Sequence, residues 1–143
     1  IKKDVWLSIH STQCFEGCDQ EEINLVTAAR LYRRNGKYYI AYDESEITGL
    51  EGTRTTLKLD GKTVSMIRTG TCPSEMLFLE NQRHVGLYQT PMGMSVTIST
   101  HTSRIRNTIG ENGGELAIDY TVEVDHNLAG SHHFELTVAT QPM

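Results

Sequence analysis

Across 143 residues the sequence has no apolar run approaching the ~20 residues that a membrane-spanning helix needs. It also has no segment with the basic, apolar and small-residue regions of a secretory leader. Both absences lead us to expect a cytoplasmic protein. Proline is scarce, at 3 residues, and alanine is limited to 6. So few alanines leave long helices without their best former. The three cysteines, Cys14, Cys18 and Cys72, form an odd set. Without a leader they read as free thiols in a reducing compartment. No nucleophile elbow of the Gly-x-Ser-x-Gly type, no His-Glu-x-x-His and no phosphate loop is present, so the sequence announces no enzyme class and no cofactor. The net charge of −5 argues against a nucleic-acid partner.

What the sequence does have is β-branched residues: 17 Thr, 10 Ile and 8 Val. This composition favours strands. Turn signals recur about every ten residues, the spacing of an all-β sandwich or barrel. They are Glu16-Gly17, Asn35-Gly36, Thr48-Gly49, Asp60-Gly61, Thr71-Cys72-Pro73, Pro91-Met92-Gly93, Asn112-Gly113-Gly114 and Ala129-Gly130. Asn35-Gly36 and Asp60-Gly61 have the chemistry of two-residue type I′ hairpins, which need positive φ at both central residues. Between the turns apolar residues alternate with period two, as in Ile23, Leu25, Thr27, Ala29 and Leu31, or Leu116, Ile118, Tyr120, Val122 and Val124. Such rows describe antiparallel strands with one face to a core and one to water. The expected fold is all-β: one domain over residues 1–143, an antiparallel up-and-down (meander) barrel of about eight to ten strands, because closure removes exposed edges. A sandwich is the rival architecture.

Several stretches carry a family likeness. They are Arg33 to Tyr42, Glu51 to Leu57, Met66 to Gly70, Gly86 to Gly93, and the Gly-Glu-Leu-x-Ile-x-Tyr run from Gly114 to Tyr120. In this order and spacing the chain resembles the YwiB-like bacterial β-barrel proteins, a family of unknown function. The resemblance implies a calycin-type, lipocalin-like barrel and no assigned activity. The Cys14 to Asp19 loop and the His132-His133 pair lie outside that pattern.

Parity gives the candidate site. Val64 and Met66 set the inward face of their strand, so Arg68 points into the barrel. A guanidinium there either anchors an anion or pairs with an internal carboxylate for structural reasons. Tyr42, Thr53, Thr55, Thr100, Tyr120 and Gln89 share the interior by the same argument. They would set hydroxyls among Ile, Leu and Val, as a site for a small amphipathic or anionic molecule requires. Equally, they would bond among themselves in a filled core. Tyr88 and Thr90 have ambiguous parity. Cys14-x-x-x-Cys18 with His10 is too sparse to specify a metal site. His132 and His133 point to opposite faces, and His133 needs no function. Glu44, Glu46 and Glu51 read as loop acids facing solvent. Arg30, Arg33, Arg34, Arg104 and Arg106 read as a mixed surface. The leading expectation is a barrel that binds a small molecule inside, as a monomer or homodimer. A non-catalytic interaction module is the alternative, suggested by Trp6, Val26 and Ala28 on the polar sides of their strands.

Overall fold

The computed structural model describes residues 2–15, 20–71, 73–89 and 93–140, the side chains of Phe15, Tyr88, Gln89 and Leu128 excepted. Ten strands follow one another: β1 (Lys2–Phe15), β2 (Gln20–Arg34), β3 (Lys37–Asp43), β4 (Thr53–Asp60), β5 (Thr63–Gly70), β6 (Ser74–Leu79), β7 (Gln82–Gln89), β8 (Ser95–Asn107), β9 (Gly114–Val124) and β10 (Asn127–Ala139). No helix occurs among the described residues. Every ladder is antiparallel, and the order is β6-β5-β4-β3-β2-β1-β10-β9-β8-β7. The meander barrel expected from the sequence is therefore present. Its first and last strands pair in the middle of the sheet, from Trp6↔Ala139 to Phe15↔Gly130. The ring stays open at one seam, between β6 and β7.

The turns explain the seam. Arg34 and Lys37 face each other across Asn35 and Gly36, both with positive φ, as a type I′ loop requires. At the next hairpin Asp60 is still in the ladder opposite Thr63, so the loop is Gly61-Lys62 and only Gly61 has positive φ. That is the pattern of a II′ loop, with Gly at the first central position instead of the second. The β6–β7 hairpin turns at Glu80-Asn81, but these residues bond across to β8. Asn81 N donates to Thr102 O at 2.7 Å, and Ile105 N donates to the Glu80 carboxylate at 2.8 Å. The turn is thus tied to its neighbour strand while β6 and β7 splay apart.

One sequence expectation is corrected in the last hairpin. Ala129-Gly130 is not a turn: it lies inside β10, where the register shifts at a bulge between Leu128 and Gly130. The turn is Asp125-His126, two non-glycine residues with positive φ. The turns at Glu16-Gly17, Cys72 and Pro91-Met92 lie outside the described residues.

Inward rows follow the expected parity. At the end of the barrel closed by the Asn35-Gly36 and Gly61-Lys62 turns, the interior is filled by Leu7, Ile40, Leu57, Val64, Phe78, Ile105, Leu116, Ile118 and Leu136, all almost completely buried. Ile109, from the β8–β9 connection, joins this core and plugs that end. Apolar burial of this kind contributes roughly 25 cal/mol per Å². The opposite end, framed by the β3–β4, β5–β6 and β9–β10 connections, is less tightly filled and holds the candidate site.

Unpaired edges expose backbone amides to exchange. Hydrogen–deuterium exchange followed by mass spectrometry should therefore find β6 and β7 peptides exchanging well before those of the β1–β10 ladder. Equal protection in both regions would mean that the ring closes in solution.

Candidate functional site

Two inward rows face each other across the open end. One runs Ser74, Arg68, Thr55, Tyr42 through the registers of β6, β5, β4 and β3. The other runs Gln13, His132, Tyr120, Thr102 through β1, β10, β9 and β8. Between them lies a cavity of about 510 Å³. Its wall is mainly apolar, with Ile9, Ile23, Leu25, Met76, Ile98 and Val122 among its members. Tyr42, Glu44, Thr48, Arg68 and Ser74 supply polar atoms on one side, and Gln13, Tyr120 and His132 on the other.

Of the sequence-derived residues, Tyr42, Arg68 and Tyr120 line this cavity. Thr55 is completely buried behind Arg68 and bonds to it. Thr53 and Thr100 are also inward and buried, but they are not part of the cavity wall. The side chains of Gln89 and Tyr88, together with Thr90, Cys18 and Cys72, lie outside the described residues. Cys14 is an exposed free thiol. No cluster of three or more His, Cys, Asp or Glu able to hold a metal occurs among the described residues.

The expectation for Glu44 is overturned. It does not face solvent: only 8% of it is exposed, and it partners Arg68. Glu44 follows β3, and its backbone continues the ladder by donating to Thr53 O at 2.8 Å. It is therefore in phase with Ile40 and Tyr42 and points inward. The connection then folds back through turns, with Thr48 N donating to Ser45 O and Thr53 N to Leu50 O. This brings Thr48 and Leu50 onto the cavity wall. Glu46 and Glu51 do face solvent.

The polar cluster is closely knit. Thr48 Oγ1 donates to Glu44 Oε1 at 3.0 Å. Thr55 Oγ1 donates to Glu44 Oε2, and the Tyr42 phenol lies within the electrostatic reach of Glu44 and Arg68. Arg68 Nε donates to Thr55 Oγ1 at 3.3 Å and lies 3.8 Å from Glu44 Oε2. Burial, with the Glu44 charge adding to it, pushes the Tyr42 phenol well above its ordinary range. Across the cavity, burial pushes Tyr120 up to about 12, although the Arg68 charge opposes this. The Tyr120 ring is clamped between Phe78, with centroids 4.8 Å apart, and His132, stacked at 4.9 Å with 6° between planes. Burial lowers the His132 pKa and keeps the imidazole neutral near pH 7.

On the outer face, His133 sits between two carboxylates. Nε2 is 2.7 Å from Glu135 Oε1, and Nδ1 pairs with Asp119. Those hydrogen bonds, Glu135 first, raise its pKa. Three of the surface arginines are likewise paired, Arg30 with Asp4, Arg33 with Glu111 and Arg106 with Glu115. An outer depression of about 460 Å³ beside Lys3 and Arg33 has both cations already held by Glu111.

Two outcomes follow from this geometry. Removing one partner of a buried ion pair usually costs ~3–5 kcal/mol; with Arg68 about a quarter exposed, Arg68→Met should cost about 3 kcal/mol in urea unfolding. A loss under about 0.5 kcal/mol would mean that the pair does not hold the folded state. The two adjacent histidines should titrate on opposite sides of the ordinary value of 6.5. His133, raised, adds stability that is full below 6.5 and lost as pH rises through its folded pKa; His132, lowered, adds stability that is full above 6.5 and lost as pH falls through its folded pKa. A pH series of imidazole NMR shifts reads both, and coincident midpoints would contradict the burial and pairing described.

With this geometry in hand, the chain can be set beside known proteins. A domain of unknown function (DUF1934) matches residues 7–136. The crystal structure of the ywiB protein from Bacillus subtilis has a TM-score of 0.86 to this fold, covering 99% of this chain and 94% of that one at 22% sequence identity. At that identity the likeness concerns the fold. None of the curated proteins matches the chain. A family match over this much of the ten-stranded barrel identifies the chain as a member of the DUF1934 family.

Proposed function

We propose that the barrel binds a small amphipathic molecule in its interior, with the polar end at Arg68 and the apolar body against the aliphatic wall. The observation that carries this reading is the cavity of about 510 Å³, mostly apolar with a few polar groups converging on it. Small-molecule sites have this size and this mixture. The calycin likeness implied by the sequence supports the same reading by analogy of fold. The entry route in this reading is the seam, because Arg68 and Ser74 line both the interior cavity and a groove bounded by His84, Val85 and Leu87. No helix among the described residues is long and apolar enough to cross a membrane. The free thiol of Cys14 suits the reducing cytoplasm we propose as its setting.

One surface favours a second reading, a non-catalytic interaction module. Trp6 is 38% exposed and opposite Ala28, and Val26, at 53%, lies one step along the same outer face. Native mass spectrometry of gently purified protein tests both readings at once. A co-purified adduct of defined mass, lost on denaturation and absent when Val122→Trp fills the cavity, is the expected result. A bare mass together with a dimer that Trp6→Ser dissolves would sink the ligand reading and move the function to the outer face.

A further inference from the structure

The interior site also has a sign. We propose that its ligand is a monoanionic amphipathic acid whose carboxylate accepts hydrogen bonds from the terminal nitrogens of Arg68 and from the Tyr120 hydroxyl. This inference rests on the interior-binding reading and narrows it to one chemical class.

The first argument is an accounting of donors and acceptors. Glu44 is the one carboxylate on the cavity wall among the described residues. Its oxygens already accept from Thr48 on Oε1 and from Thr55 on Oε2. A ligand cation or hydroxyl arriving there would have to displace these hydroxyls. Arg68 is the reverse case. It meets the cluster only through Nε, which serves Thr55 and lies 3.8 Å from Glu44. Among the described residues no hydrogen bond engages its two Nη nitrogens. A guanidinium presents those nitrogens as a planar fork that fits a carboxylate in bidentate fashion. The cavity therefore offers donors and wants an acceptor.

The second donor is Tyr120. Its hydroxyl has no hydrogen-bond partner among the described residues, while the side chain is partly buried on the cavity wall and lies within the electrostatic reach of Arg68. The ring is held on both sides, by His132 and by Phe78, so the hydroxyl needs no reorganisation to bind. Burial keeps the phenol protonated throughout the physiological range, and it remains a donor.

Charge then separates monoanions from dianions. Arg68 is balanced in part by Glu44, and the connections framing the same end carry Glu46, Glu51 and Asp125, all exposed. A dianionic phosphate monoester would meet this field with only one guanidinium to offset it. A carboxylate carries half that charge and matches the fork. Its apolar body would lie along Ile9, Ile23, Leu25, Met76, Ile98 and Val122.

Four ten-carbon probes with one tail and different heads test the assignment: decanoate, 1-decanol, decylamine and decyl phosphate, titrated by isothermal calorimetry near neutral pH. Decanoate should bind at least about tenfold more tightly than the other three, the scale of one charge-assisted hydrogen bond. Arg68→Gln should erase that preference while leaving 1-decanol binding in place. Tyr120→Phe should weaken decanoate several-fold without moving 1-decanol. If Arg68→Gln does not fold, Arg68→Lys keeps the charge, loses the fork, and should still cost decanoate most of its advantage. Equal affinity for decanoate and 1-decanol, or tighter binding of decylamine or decyl phosphate, would overturn the carboxylate assignment while the interior-binding reading stands. Failure of all four to bind, in a folded protein, would overturn both.

Discussion

The pairing of the first strand with the last governs the rest of this molecule. The β1–β10 ladder runs from Trp6↔Ala139 to Phe15↔Gly130 and turns a ten-strand meander into a ring. Closure through the chain ends leaves the one unpaired stretch inside a hairpin, between β6 and β7. The hairpin cannot zip because its turn is bonded to β8, through Asn81 N and the Glu80 carboxylate. The Ile105 amide donating to Glu80, aided by Lys62, holds that carboxyl below the ordinary range, so the tie persists at neutral pH. An opening located by topology thus falls beside Arg68 and Ser74, the residues shared by the interior and the outer groove.

The same register assembles the polar wall. Arg68, Thr55 and Tyr42 are cross-strand partners on three adjacent strands, at a strand spacing near 4.8 Å. Glu44 enters this row only because the β3–β4 ladder continues one residue beyond the strand end. Burying a carboxylate and a guanidinium costs several kcal/mol each unless the geometry is good and the remaining lone pairs are filled. Here two threonine hydroxyls serve the carboxylate, from Thr48 and Thr55. The threonines are therefore the means by which an ion pair sits beside an apolar cavity. They also leave the Nη edge of the guanidinium as its unused side.

Much of this was legible in the sequence, for a definite reason. Period-two alternation is a rigid consequence of strand geometry, so Val64 and Met66 suffice to place Arg68 inside, and the Leu116 to Val124 row suffices for Tyr120. The resemblance to YwiB-like proteins pointed to the same barrel that the turn spacing and the strand rows imply. What failed were statements about strand ends. Glu44 reads as a loop acid because it clusters with Glu46 and Glu51 between strand rows, although the parity of Ile40 and Tyr42 extends to it. Ala129-Gly130 was read as a turn because glycine signals both turns and bulges. The real turn uses positive φ at Asp125 and His126, for which sequence chemistry gives only a weak cue. The seam was not legible at all, since it depends on which neighbour the Glu80-Asn81 turn bonds to.

The unequal filling of the two ends has an energetic limit that bears on function. Leu7, Ile40, Leu57, Val64, Phe78, Ile105, Leu116, Ile118 and Leu136 close one end with side chains that are almost wholly buried. A sealed, dry apolar void costs about 24 cal/mol per Å³. At the cavity's 510 Å³ that would come to roughly 12 kcal/mol, comparable to the entire stability of a domain this size. A barrel could not sustain such a void. It can sustain a cavity that is open to solvent and carries hydroxyls and a guanidinium on its wall, because water or a polar-headed ligand can occupy it. The opening and the polar wall are thus conditions for the cavity's existence before they are features of any binding event. An amphipathic occupant satisfies both parts of that lining, where water satisfies only the polar one.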